Sequence, residues 1–151
     1  MKKMIKNLGE MEKFAISVAS KINRDKATAK AVILSLYGDL GSGKTTFTKS
    51  FISAFGVKQT VTSPTFVIEK IYKLPNNKIN QNKNFKYIIH IDAYRLNNGE
   101  EMKDLGWEQI YNDPQNIILV EWPKKIFEIL PKNAKKIKFK FIDEKKREVI
   151  Y

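Results

Sequence analysis

Residues 38–45 read Gly38-Asp39-Leu40-Gly41-Ser42-Gly43-Lys44-Thr45 and match the pattern G-x-x-x-x-G-K-[ST]. The chemistry open to such a run is phosphate binding. Glycines let the backbone curl until several N–H groups point inward at a β-phosphate. A helix starting near Lys44 would add the positive end of its dipole. The Lys44 ammonium can reach β- and γ-phosphates, and the Thr45 hydroxyl can ligate Mg²⁺. Such a loop needs an acid at the end of a neighbouring strand, to hold the metal or to position an attacking water. Asp92 closes the apolar run YIIHID and Glu121 closes IILVE. Spacing does not say which of the two takes which role. His90, two residues before Asp92, shares its strand face. It is placed either to bond a switch element or to serve structurally.

The surrounding elements have to bring these groups together. AVILSLY (31–37) suits a buried strand feeding the glycine loop, and Phe47, Phe51, Ala54 and Phe55 continue behind it at helical spacing, with Gly56 as the stop. Ahead of the strand, Asn7 and Glu10 resemble a capping box, followed by Phe14, Ala15, Val18, Ala19 and Ile22 on one helical face. FVIEKIYKL (66–74), FKYIIHID (85–92) and NIILVE (116–121) read as strands. PNNKINQNKN (75–84) reads as an exposed connection. GEEMKDLGWEQIY (99–111) reads as a helix despite Gly106, and PKKIFEIL (123–130) as a short helix with Pro123 at its first position. In 135–142, Lys136, Lys138 and Lys140 alternate with Ile137, Phe139 and Phe141, the period of a half-buried strand; REVIY then closes a terminal hairpin. No repeat, linker or boundary interrupts the 151 residues, which points to a single domain over 1–151. The acids and the loop would lie on the strand-end edge where open α/β sheets bind ligands.

Composition narrows the chemistry further. There is no cysteine, so disulfides, thiolate metal sites and a cysteine nucleophile are excluded. With His90 the only histidine, a multi-histidine metal centre and a Ser-His-Asp triad fit poorly. No apolar stretch approaches the ~18 residues of a membrane span. The lysine-rich start is interrupted by Glu10, Glu12 and Lys13, which reads as mature protein, and the expected location is the cytoplasm. The net charge of +12 suggests an acidic partner such as RNA, or a solvated lysine surface; only Arg24, Arg95 and Arg147 are arginine.

Four segments in order, GDLGSGKTTF, SPTF (63–66), HIDAYRL (90–96) and LVEWP (119–123), resemble the TsaE family, also called YjeE, small bacterial P-loop ATPases of tRNA threonylcarbamoyladenosine (t⁶A) synthesis. The likeness spans most of the chain. It implies a P-loop NTPase-like three-layer α/β domain, a parallel core sheet with added antiparallel strands. The implied ligands are ATP and Mg²⁺, and the implied partner is the TsaB–TsaD pair; tRNA is expected to be met indirectly or weakly, and the chain is expected to be a monomer on its own, although the sequence leaves oligomeric state open. Carried over motif by motif, Gly41, Ser42, Gly43, Lys44, Thr45 and Thr46 would wrap the phosphates, alongside Gly38. Thr45 and Glu121 would bind the metal, and Asp92 would be the catalytic or water-positioning acid. Ser63-Pro64-Thr65 would form a switch loop whose Thr65 hydroxyl reaches phosphate or metal, and Trp122 would flank the site. Lys6, Asn7 and Arg147 are further candidates for touching nucleotide. This chain departs from the family pattern in the alanine of HIDAYR, in its asparagine- and lysine-rich 75–84 segment and in an Arg147 without the usual preceding glycine.

Competing readings are a small P-loop kinase, a non-catalytic nucleotide switch and direct RNA binding by Lys136, Lys138 and Lys140. A kinase would carry an arginine-bearing lid; none is evident between 111 and 131.

Overall fold

β-branched and apolar residues dominate 32–37, 87–92 and 116–121, and these runs form the buried centre of one seven-stranded sheet. The computed structural model describes residues 1–25, 28–76 and 85–151. Its strands are β1 (Lys2–Ile5), β2 (Val32–Tyr37), β3 (Glu69–Lys73), β4 (Tyr87–Asp92), β5 (Asn116–Glu121), β6 (Lys135–Phe141) and β7 (Arg147–Ile150). Their order is β1-β7-β6-β2-β5-β4-β3. The pairs β6/β2, β2/β5 and β5/β4 are parallel, while β1/β7, β7/β6 and β4/β3 are antiparallel. A parallel core with antiparallel margins is the expected fold class.

Side chains alternate across the sheet, so each strand feeds two cores. Leu34, Leu36, Ile88, Ile117, Leu119, Ile137 and Phe139 face α1 (Leu8–Arg24) and α2 (Lys44–Ala54). Phe14, Phe47, Phe51 and Phe55 from the helices fill that side, with ring centroids 5.2–5.7 Å apart along the run. Ile33, Ile89, Ile91, Ile118 and Val120 face the other side. There the chain supplies 3-10 turns at Ala93–Arg95, Gly99–Met102 and Pro123–Ile129, and α3 (Trp107–Asn112). The result is three layers.

Helix ends follow local chemistry. Asn7 caps α1, its side chain accepting from Glu10 N–H at 2.9 Å. The reciprocal bond of the expected capping box lands one residue earlier, with Lys6 N–H donating to Glu10 at 2.8 Å. Gly56, at φ +84°, follows the end of α2 as expected.

Four expectations are corrected or refined, and one element was missed. The helix expected over 99–111 is two pieces, because Gly106 at φ +77° leaves right-handed helical space and restarts the chain as the N-cap of α3. The short helix expected over 123–130 is present with Pro123 at its first position, but as 3-10 and kinked at Ile126. The strand expected from 66 begins at Glu69, since Ile68 lies at φ +65°. Phe141 is 50% exposed, its ring lying under the Arg147 guanidinium at 4.5 Å. Residues 2–5, given no element by periodicity, form β1 on the edge of β7; three of its four residues are exposed, so no apolar period marks it. The polar connection at 75–84 lies, from 77 on, outside the described residues.

Candidate active site

The glycine loop joins β2 to α2, and its glycines have separate physical reasons. Gly38 sits at φ +148°, and a Cβ there would lie 2.5 Å from both the Phe139 carbonyl and the Ser42 hydroxyl. Only glycine fits. Gly43, at φ +103°, is the N-cap of α2 and offers no side chain to its first turn. The backbone donors of that turn are therefore open to an anion. Ser42 Oγ is buried and, among the described residues, has no partner.

Lys44 is 5% exposed, and its ammonium donates to the carbonyls of Gly38 at 2.7 Å and Asp39 at 3.0 Å. The Trp122 ring centroid lies 4.2 Å from Lys44 Nζ. Burial lowers the Lys44 pKa, opposed by the negative charges of Glu121, Asp39 and Asp92. The ammonium is thus parked on its own loop, among carboxylates, where an oxyanion would be a better partner.

Asp92 and Glu121 are register partners at the ends of parallel β4 and β5 and project to one face. Glu121, 3% exposed, accepts from Thr45 Oγ1 at 3.3–3.4 Å and pairs with His90 Nε2 at 2.9 Å. Asp92 accepts from Thr65 Oγ1 at 2.7 Å and from Ser63 Oγ at 3.3 Å, and its other oxygen takes Tyr94 N–H at 3.1 Å. The chain just beyond that loop is tied by backbone, since Asp92 N–H donates to the Ile68 carbonyl at 2.8 Å and Ile68 N–H to the Pro64 carbonyl at 2.6 Å. His90 therefore bonds an acid and not a switch element; the residue that holds the SPT loop is Asp92.

These groups line one cavity of about 590 Å³. Gly41, Gly43, Lys44, Thr45, Thr46, Thr65, Asp92, Glu121 and Trp122 all reach it. Gly38 and Ser42 shape the loop behind it. Ile5, Lys6, Asn7, Leu8 and Met11 form the far wall, so the start of the chain does reach the site. Arg147 lines it too, its Nε donating to the Gly41 carbonyl at 3.2 Å and its Nη1 to the Asp143 and Lys146 carbonyls. The tail hairpin thus buttresses the loop.

Two features lay beyond sequence reasoning. His90 supports Glu121, which needs the register of β4 against β5. Trp122 adopts φ +59°, one of two non-glycine residues in that region among the described residues, with Ile68 the other. Trp122 lines the cavity, and the Ile68 carbonyl accepts from Asp92 N–H. The proline after Trp122 would by itself favour an extended backbone there, so the left-handed conformation is set by the tertiary structure and not announced by the sequence.

The donor set fits a nucleotide triphosphate with a small hard cation. A hydroxyl and a carboxylate face each other at the lip of an uncapped helix, with an ammonium beside them. Among the described residues no three His, Cys, Asp or Glu side chains gather into a metal cage. Thr45 and Glu121 would leave the other ligand positions of a cation to phosphate and water oxygens, the usual habit of Mg²⁺.

Comparison with known proteins fits this geometry. A family model described as "Threonylcarbamoyl adenosine biosynthesis protein TsaE" matches residues 5–149. The "tRNA threonylcarbamoyladenosine biosynthesis protein TsaE" of Bacillus subtilis is 38% identical over 119 residues, 79% of this chain and 68% of that protein. The protein of the same name in Rickettsia typhi is 39% identical over 116 residues, 76% and 73% of the two chains. A crystal structure of Bacillus subtilis YdiB superposes with a TM-score of 0.70 at 31% identity, covering 99% of this chain and 82% of that one. The chain belongs to the TsaE family of tRNA threonylcarbamoyladenosine biosynthesis.

Proposed function

We propose that the chain, as a single cytoplasmic domain, binds ATP with Mg²⁺ in this cavity and hydrolyses it to support t⁶A modification by a TsaB–TsaD pair. The observation that carries the reading is the convergence of Lys44, Thr45, Asp92, Glu121 and Thr65 on one cavity beside an uncapped helix start. Gly41–Thr46 would wrap the phosphates, with Lys44 exchanging the Gly38 and Asp39 carbonyls for phosphate oxygens. Ile5, Leu8 and Met11 offer an apolar wall to a flat base. Mg²⁺, held by Thr45 and Glu121, would neutralise charge on the phosphate oxygens.

Asp92 is the acid assigned to the attacking water. Water oxygen bonds to the γ-phosphorus as the bond to the bridging oxygen breaks, giving ADP and phosphate, and the Asp92 carboxylate accepts the water proton. Thr65 and Ser63, now bonded to Asp92, would have to release it, which makes the SPT loop a switch. His90 keeps the Glu121 carboxylate aimed at Thr45.

Arg147 is the one arginine of three that lines the cavity, and its Nε and Nη1 donate to backbone carbonyls. Arg95 lies under Phe66 at 4.9 Å. Arg24 and Arg95 do not line the cavity and Arg147 is tied to its loop through Nε and Nη1, so turnover alone should be slow and a partner should raise it. The kinase reading finds no lid, because 111–131 is occupied by the end of α3, β5 and the 3-10 turn packed beneath the sheet.

The test is ATP hydrolysis by the purified chain, alone and with its own TsaB–TsaD. Slow turnover, raised by the pair and cut about 100-fold or more in Glu121→Ala, is expected. Turnover indifferent to the pair would sink the partner reading.

A further inference from the structure

The 3-10 turn Pro123–Ile129 packs against β2, whose neighbour in the sheet is β6. On that face β6 carries Lys136 and Lys138, which sit in register beside Ser35 and Tyr37 of β2. Between the turn and this lysine row runs a second cavity of about 680 Å³. Lys124 and Lys125 form one bank, Lys136 and Lys138 the other, and Tyr37 and Trp122 contribute aromatic surface. Asp39 is the only carboxylate among its lining residues. None of the four lysines makes an ion pair among the described residues, although Lys2, Lys103, Lys135 and Lys146 do. Both banks are exposed.

Four unpaired ammonium groups on two banks are costly to hold together unless solvent or a polyanion screens them. Lysines two apart on a strand repeat every ~6.6 Å, a spacing that suits consecutive phosphates of an extended nucleic-acid strand. Tyrosine and tryptophan between the banks suit base stacking, which an acidic peptide would not use. The family acts in the modification of a tRNA adenosine. We propose that this groove binds a single-stranded or splayed segment of RNA, with the lysines on the phosphates and Tyr37 or Trp122 against a base. The inference rests on family membership and on the groove, and is independent of ATP hydrolysis.

Trp122 lines this groove and the phosphate cavity as well, while Gly38 and Asp39, which hold Lys44, form part of the groove wall. An occupant would therefore touch the residues that park Lys44.

The experiment titrates the full chain against a labelled, unmodified tRNA transcript at several salt concentrations. Inorganic polyphosphate and polyglutamate serve as competitors. Lys136→Glu/Lys138→Glu is compared with Lys13→Glu/Lys49→Glu, an equal charge change on exposed positions of α1 and α2. The groove variant should bind RNA at least tenfold more weakly, with the salt slope reduced by about 1.4 for two lost single-strand contacts. The control should lose less than threefold, and RNA should quench tryptophan emission. Equal losses in both variants would overturn the groove as a site. Competition by polyglutamate as strong as by RNA would overturn RNA as its occupant. ATP hydrolysis measured on the same samples should be unchanged in the groove variant; if the parent chain proves inactive, the ATPase reading fails while the RNA comparison still stands.

Discussion

The α1/α2 face of the sheet and the strand-end edge beside it are built on opposite principles. The face is dry: Phe14, Phe47, Phe51 and Phe55 are at most 1% exposed and touch one another. The edge is equally buried but polar. Lys44, His90, Asp92 and Glu121 are each 5% exposed or less. Burial of the rings stabilises the fold by removing apolar area from water. Burial of the charged groups costs desolvation that mutual hydrogen bonds only partly offset. The two regions share β2, β4 and β5, and α2 starts in one and continues through the other. The apolar face therefore supplies the rigidity with which the edge is held ready for an anion.

Substitutions can break this contrast. Phe47→Ala, at the centre of the ring cluster and three residues beyond Lys44, should cost about 3–5 kcal/mol of stability, read from the urea midpoint. Nucleotide affinity in the surviving folded fraction should change little. Lys44→Met should do the reverse. Loss of a charge-assisted contact to phosphate should weaken ATP binding by about 100-fold, on the order of 3 kcal/mol. The melting temperature should stay level or rise, because a buried ammonium is gone. A large fall in stability for Lys44→Met would show that the edge contributes to folding after all.

Smaller effects sharpen the boundary between the regions. Asn7 caps α1 and also lines the cavity. Asn7→Ala should cost about 1 kcal/mol through the lost cap; a drop in nucleotide affinity beyond that would assign it to the edge. Tyr151 marks the margin of the dry face, edge-on to Phe14 at 6.3 Å. Burial, reinforced by the nearby Asp25 charge, has its phenol pushed up to about 12. The folded chain then holds that proton more tightly than the unfolded chain. Its contribution to stability is complete below about pH 10 and fades as pH rises toward 12. Urea midpoints at pH 9 and 11 should show the decline, and Tyr151→Phe should reduce it.

Much of this arrangement was legible from local pattern. β2, β5 and the glycine loop follow from continuous apolar runs and a glycine spacing with few alternatives, and α1 follows from its period and its cap. The pairing of Asp92 with Glu121 was half legible: strand ends are visible in sequence, but their register is a long-range property. The break at Gly106 was visible as a residue and misjudged as a tolerated one, since only the packing of Trp107 and Met102 into the lower core decides that the chain must turn there. β1 carries no period because an edge strand with one buried residue needs none.

By itself the sequence determined the phosphate loop, the two acids and the α/β order of elements, because backbone freedom at glycine, strand burial and helical period are all local effects. Tertiary structure decided the partnerships: His90 on Glu121, the SPT loop on Asp92, Trp122 over Lys44 and Arg147 against Gly41. Each joins residues far apart in the chain, and only the pairing order of seven strands brings them within bonding distance.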